Sequence, residues 1–182
     1  MKKPEVFLIV FLISFPLEIL NGQTKSGNYF LGADGRFSLT SRSQETEIMF
    51  SPKFGYSFNN SNFTGIQIDY RRISSKNMFE DKTLTIDINV GGFDRCYFGT
   101  GKVKPYIEFV TGYGAQGYKY TYNNQTTESK TEYFYYGGSL GNGVFLNENI
   151  SLDFGVNYNF EKEKSVKAVG ELRTYVGFVI IL

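Results

Sequence analysis

Histidine is absent from all 182 residues, and that absence removes a large part of enzyme chemistry. No Ser–His or Cys–His couple can form and no imidazole can ligate a metal, so hydrolases and acyltransferases that work through histidine are excluded. A single cysteine, Cys96, rules out an intramolecular disulfide. It reads as a small buried or lipid-facing apolar residue, because a reactive thiol needs surroundings that lower its pKa. The formal net charge is only +1, which leaves no large basic face, and no nucleic-acid partner is expected. Tryptophan is missing too, and no unbroken apolar run reaches the ~20 residues that a membrane-crossing helix needs. No motif asks for a cofactor or a metal, and an enzyme is not expected.

What is present is a basic start, Lys2-Lys3, an apolar run over 6–16 broken by Pro16 and Glu18, and then Asn21-Gly22-Gln23. That order of charge, short apolar core and small residue is a cleavable secretory signal peptide. Cleavage is expected after Gly22, making 1–22 the signal peptide and 23–182 the mature domain. No cysteine follows the run, so lipid attachment at a processed N-terminal cysteine is excluded.

Beyond residue 27 apolar and polar residues alternate in eight stretches, the period-two mark of a strand with one greasy face. Over 29–39, Tyr29, Leu31, Ala33, Phe37 and Leu39 oppose Asp34, Arg36 and Ser38. The second stretch sets Ile48, Phe50, Pro52, Phe54, Tyr56 and Phe58 against Ser51, Lys53 and Ser57. In the third, Ile66, Ile68 and Tyr70 oppose Gln67, Asp69 and Arg71; in the fourth, Leu84, Ile86, Ile88 and Val90 oppose Thr85, Asp87 and Asn89. The fifth, 105–120, sets Ile107, Phe109 and Tyr113 against Glu108, Gly112, Gly114 and Gln116. The sixth, 132–145, is ambiguous, since Phe134, Tyr136 and Leu140 mark one face while Tyr133 and Tyr135 crowd the other. The seventh puts Ile150, Leu152, Phe154, Val156, Tyr158 and Phe160 outside and Ser151, Asp153, Asn157 and Asn159 inside. The last places Val176, Phe178, Ile180 and Leu182 on one parity, Arg173 and Gly177 on the other.

Connections after the second, fourth and sixth stretches are short and rich in Asn and Gly, at 59–62, 99–102 and 147–149. The others, at 41–46, 74–82, 123–130 and 161–170, read as longer and more charged loops. Short periplasmic turns, longer outer loops and an even strand count describe an outer-membrane barrel with both mature termini in the periplasm. The expected fold is all-β: an eight-stranded antiparallel up-and-down transmembrane β-barrel preceded by a cleavable signal peptide, with outer-membrane lipid around it.

The final residues Tyr175, Gly177, Ile180 and Leu182 fit the C-terminal signal read by the barrel-assembly machinery, although Leu182 stands where an aromatic is usual. Lys102-Val103-Lys104-Pro105-Tyr106 leading to Gly112-Tyr113-Gly114, and Phe145-Leu146-Asn147-Glu148-Asn149-Ile150-Ser151-Leu152 leading to Phe154-Gly155-Val156, resemble the OmpX-like outer-membrane β-barrel domain family. The resemblance spans essentially the mature chain. It implies eight strands, insertion by the assembly machinery and surface roles such as adhesion, and it supplies no catalytic residues.

Other motifs dissolve on inspection. Gly112-Tyr113-Gly114-Ala115-Gln116-Gly117 matches G-x-G-x-x-G, but a dinucleotide site needs a βαβ unit around it. Glycines facing a narrow lumen, relieving crowding or opposing tyrosines, explain it better. Gly99-Thr100-Gly101-Lys102 lacks the hydroxyl residue of a phosphate loop, since Val103 follows. The Asn62, Asn124 and Asn149 sequons carry no weight in a bacterial envelope protein, and Glu161-Lys162-Glu163-Lys164 is a solvated loop tip.

Inward parity collects Asp34, Asp69, Asp87, Glu108 and Asp153 against Arg36, Lys53, Arg71 and Arg173. An eight-stranded barrel is just wide enough for side chains to fill, so these are expected to form an ion-pair network closing a polar lumen. The expected role is structural or adhesin-like, with loops offered to an extracellular protein or surface partner. A small porin or channel is one alternative; a soluble lipocalin-like ligand-binding barrel, which needs the faces reversed, is another. Tyr118, Tyr120, Tyr122, Tyr133 and Tyr135 are taken as the outer aromatic girdle. The competing reading is that the fifth and sixth strands protrude and offer an edge for β-augmentation.

Overall fold

The computed structural model describes residues 27–40, 45–59, 61–76, 82–122, 125–163 and 168–182, with the backbone alone at 37–40. The signal peptide, Asn60, the Asn124 sequon, Lys164 and the side chains of Phe37, Ser38 and Leu39 therefore lie outside the described residues. Eight strands follow in order: β1 Tyr29–Thr40, β2 Glu45–Ser57, β3 Asn62–Lys76, β4 Lys82–Tyr97, β5 Val103–Tyr122, β6 Gln125–Phe145, β7 Ile150–Lys162 and β8 Val169–Ile181. Each pairs antiparallel with its sequence neighbour, and β1 with β8 closes the barrel. The seam runs from Phe30↔Ile181 to Gly35↔Val176. It is finished by reciprocal backbone bonds between Tyr29 and Leu182 at 2.8 and 2.9 Å. Along that seam closure pairs the two sheet edges, as a membrane requires, because an unsatisfied amide there has no water to turn to.

The parity assignment holds in three dimensions. Phe54, Ile68, Ile88 and Phe154 are 50%, 47%, 50% and 46% exposed, whereas Asp87 is only 3% exposed. A continuous outer belt of Leu, Ile, Val and Phe would be untenable in water but is the surface that hydrocarbon lipid solvates. Aromatic rings bound it at both ends. Tyr29, Phe54, Tyr56 and Phe58 pack edge-on or stacked at one rim. Tyr113, Phe134, Tyr136, Tyr158 and Phe160 do the same at the other.

Two turns at the first rim use the same local device. Asn59 Oδ1 accepts the N–H groups of Ser61 and Asn62, both at 2.9 Å, and Asn147 Oδ1 accepts those of Asn149 and Ile150, both at 2.8 Å. An Asn side chain that folds back on the next backbone donors sets a tight turn from sequence alone. The turn between β4 and β5 has Gly99 at φ +82°, a backbone state that a side chain disfavours.

The other rim corrects the sequence reading. The described residues of the stretches taken as long charged loops are mostly strand: β3 continues to Lys76 and β4 begins at Lys82, while β5 runs to Tyr122 and β6 starts at Gln125. Above the lipid layer both faces of a strand meet water, so the apolar alternation stops while the hydrogen-bond ladder continues. Past Tyr113↔Phe134 the β5–β6 pair extends through residues 115–122 and 125–132, about 27 Å along the strand at 3.4 Å per residue. β3 and β4 support it as far as Lys82↔Thr121. On its other side β6 meets β7 only from Phe134↔Lys162 downward.

Candidate functional site

Two places carry unusual chemistry: the lumen and the wall above it. The lower lumen is not polar, contrary to expectation. Phe30, Phe63, Phe93, Tyr97, Tyr106, Phe145, Tyr175, Val179 and Ile181 form one buried cluster across it. They all sit on inward parity near the Asn-capped rim, where the alternation happens to place apolar residues on both faces. Lumenal glycines make room for the rings. A Cβ on Gly141 would lie 2.5 Å from Tyr106 Cζ, and one on Gly155 would lie 2.6 Å from the Tyr175 hydroxyl. Those two hydroxyls bond to each other at 2.5 Å. Higher up, Gly112 and Gly114 face the rings of Tyr135 and Tyr133, which is why the G-x-G-x-x-G match occurs in a strand.

Above the rings lies a buried ionic tier. Lys53 Nζ bridges Asp34 at 2.6 Å and Glu108 at 2.5 Å. Arg95, absent from the inward set read from sequence, is its centre. Its Nε and Nη2 lie 2.7 and 2.6 Å from Glu108 Oε2, and its Nη1 donates to Asp153 and, at 3.1 Å, to the Tyr97 hydroxyl. The guanidinium carbon also sits 4.2 Å from the Tyr106 ring centroid and 5.2 Å from that of Phe30, so the ion pairs rest directly on the aromatic cluster. Five strands meet here: β1, β2, β4, β5 and β7. The signal for Arg95 was available, since the parity of Asp87 and Asn89 carried through Gly91 reaches Phe93 and Arg95.

An upper tier lies near the open rim. Arg71 reaches Glu47 at 2.8 Å, Asp87 at 3.7 Å and, across the barrel, Glu171 at 3.2 Å. Arg36 pairs with Glu47 at 3.1 Å, and Arg173 with Glu171 and, at 3.6 Å, Glu161. Glu47 and Glu171 were not singled out from sequence, and Glu161, taken as part of a solvated loop tip, instead lies in β7 with its carboxylate 3.6 Å from Arg173. Asp69 falls between the tiers, its carboxylate accepting Gln67 Nε2 at 3.1 and 3.3 Å. A cavity of about 30 Å³ adjoins it.

Tyr133 and Tyr135 are not girdle residues. They are 5% and 2% exposed and point into the lumen, where Tyr133 donates to Asn89 Oδ1 at 2.8 Å and Tyr135 lies 3.4 Å from Gln67 Nε2. Tyr118, Tyr120 and Tyr122 share their parity but stand on the protruding wall, above the belt's ring of aromatics. At the chain's end Tyr175 and Gly177 face inward, Val176, Phe178 and Leu182 outward, with Ile180 half-buried.

The fold defined by these features is that of the small OmpX-like outer-membrane β-barrels. Among solved structures, Ail, the attachment invasion locus protein of Yersinia pestis, matches with a TM-score of 0.56 at 14% identity, covering 86% of this chain and 98% of that one. Neisserial surface protein A matches with a TM-score of 0.53 at 21% identity over 85% and 97% of the two chains. OprG of Pseudomonas aeruginosa matches with a TM-score of 0.53 at 13% identity over 90% and 99%. No protein-family model and no curated protein matches the sequence.

Proposed function

We propose that this is an outer-membrane surface protein whose barrel is a closed anchor and whose working part is the wall formed by β3, β4, β5 and β6. The observation that carries this reading is the free edge of β6. From Gln125 to Tyr133 its backbone pairs with β5 alone among the described residues, so a row of donors and acceptors faces water. Such an edge accepts an extended segment of another protein by strand addition. Lys119, Glu128, Lys130 and Glu132 alternate with uncharged residues along the hairpin, which discourages self-pairing into fibres. The reading places both mature termini on the periplasmic side, with Tyr175, Gly177, Ile180 and Leu182 as the segment offered to the assembly machinery. Ail, a barrel of like fold, is by name an attachment protein, which is compatible with a contact role. No catalytic step is part of the proposal.

The test is a hairpin shortened in register, with 117–130 replaced by a two-residue turn, displayed on cells beside the full-length protein. Both should show heat-modifiable migration, and only the full-length form should promote attachment to an extracellular-protein-coated surface. Equal attachment by both would overturn the proposal. The rival porin reading predicts stable current steps in a planar bilayer; a lumen filled by the Phe30–Tyr106 cluster and the Arg95 tier predicts silence.

A further inference from the structure

We infer that the upper lumen holds a single monovalent metal cation beside Asp69. The deep tier shares two bases, Lys53 and Arg95, among three acids, Asp34, Glu108 and Asp153. The upper tier shares Arg36, Arg71 and Arg173 among four, Glu47, Asp87, Glu161 and Glu171. Asp69 stands between them with no basic side chain within ion-pair distance among the described residues. Negative charge is therefore in excess in both tiers, the other buried base, Lys104, lying apart over the Phe145 ring at the opposite rim, and the lumen is a low-dielectric shell where an uncompensated ion is costly.

Among the unpartnered polar atoms in the walls beside Asp69, acceptors outnumber donors, the donors being Ser51 Oγ and Arg173 Nε. Gln67 is 4% and Asp87 3% exposed, and Gln67 Oε1 and Asp87 Oδ1 have no hydrogen-bond partner, nor have Asn157 Oδ1 and Asn159 Oδ1 on the facing β7. All four residues and Asp69 line the same cavity of about 30 Å³. That volume takes one or two water-sized particles, since a single one needs about 10–15 Å³ on this measure. Asp69 opposes Asn89 and Asp87 opposes Arg71 in the β3–β4 register, so the two carboxylates are diagonal neighbours, about 7–8 Å apart. That spacing suits one ion between them, carrying a water. Oxygen dipoles from amides and a carboxylate are the ligands that replace the hydration shell of sodium or potassium. A divalent ion requires several carboxylates in direct contact, and among the described residues no group of three or more acids converges in that way.

Thallium(I), a heavy stand-in for potassium, is the probe. Crystals of the folded barrel soaked in a thallium salt should give one anomalous peak between Asp69, Asp87 and Gln67, absent in D69N crystals. In parallel, the midpoint of heat-modifiable unfolding in a neutral detergent at fixed pH should be about 4 °C higher in sodium or potassium chloride than in N-methylglucamine chloride of equal strength, for an ion present at about ten times its Kd. The D69N barrel should lose that difference. Water density alone at the site, or equal midpoints in all three salts, overturns the inference, the latter meaning that a proton balances Asp69 instead.

Discussion

Arg95 and Glu108 face each other across the β4–β5 register and are joined by two nitrogens, at 2.7 and 2.6 Å, on one carboxylate oxygen. Neither is more than 1% exposed in its side chain. Removing one partner of such a pair strands the other, and the loss is dominated by the stranded charge rather than by the contact itself.

Arg95→Met should therefore cost about 3–5 kcal/mol in reversible urea unfolding from detergent micelles. Arg95→Met combined with Glu108→Gln should recover part of that loss. A double variant no more stable than Arg95→Met would show that Glu108 is needed as much by Lys53, which it holds at 2.5 Å, as by Arg95.

Gly112→Ala should destabilise the barrel by about 1–3 kcal/mol. A Cβ there would fall 2.3 Å from the Val90 carbonyl oxygen and 2.5 Å from Gly91 Cα, both backbone atoms that cannot turn aside. Gly101→Ala is the control, because its nearest contact would be 3.8 Å away. The same unfolding measurement should leave that variant near the parent.

Leu140→Arg tests the solvent of the outer face. Leu140 is 59% exposed and pairs with Val156 and Ile107 midway along the belt. An arginine at bilayer mid-depth costs about 2–4 kcal/mol, measured as a lowered urea midpoint in lipid vesicles. Lys130→Glu, on the protruding wall, should change stability by less than about 0.5 kcal/mol. If both were neutral, the belt would not be in lipid.

Period-two patterning sufficed to assign strand number, antiparallel order and the outward face of residues such as Phe54, Ile68 and Phe154. A side chain's parity is a local property, and lipid outside with a narrow space inside leaves only one way to turn the sheet. Depth and partnership are different in kind. That Tyr133 and Tyr135 fill the space above Gly114 and Gly112, and that Arg95 binds Glu108 and Asp153 at once, depends on the register of several pairings added around a closed ring. The same holds for the wall: Gln125–Lys130 looks like loop because its alternation is gone, yet the β5 ladder beside it holds it as strand. Sequence alone determined the side most residues take, the sixth strand excepted; only the closed barrel decided at what height each sits and whom it meets, because stagger accumulates across strands that a single chain segment cannot count.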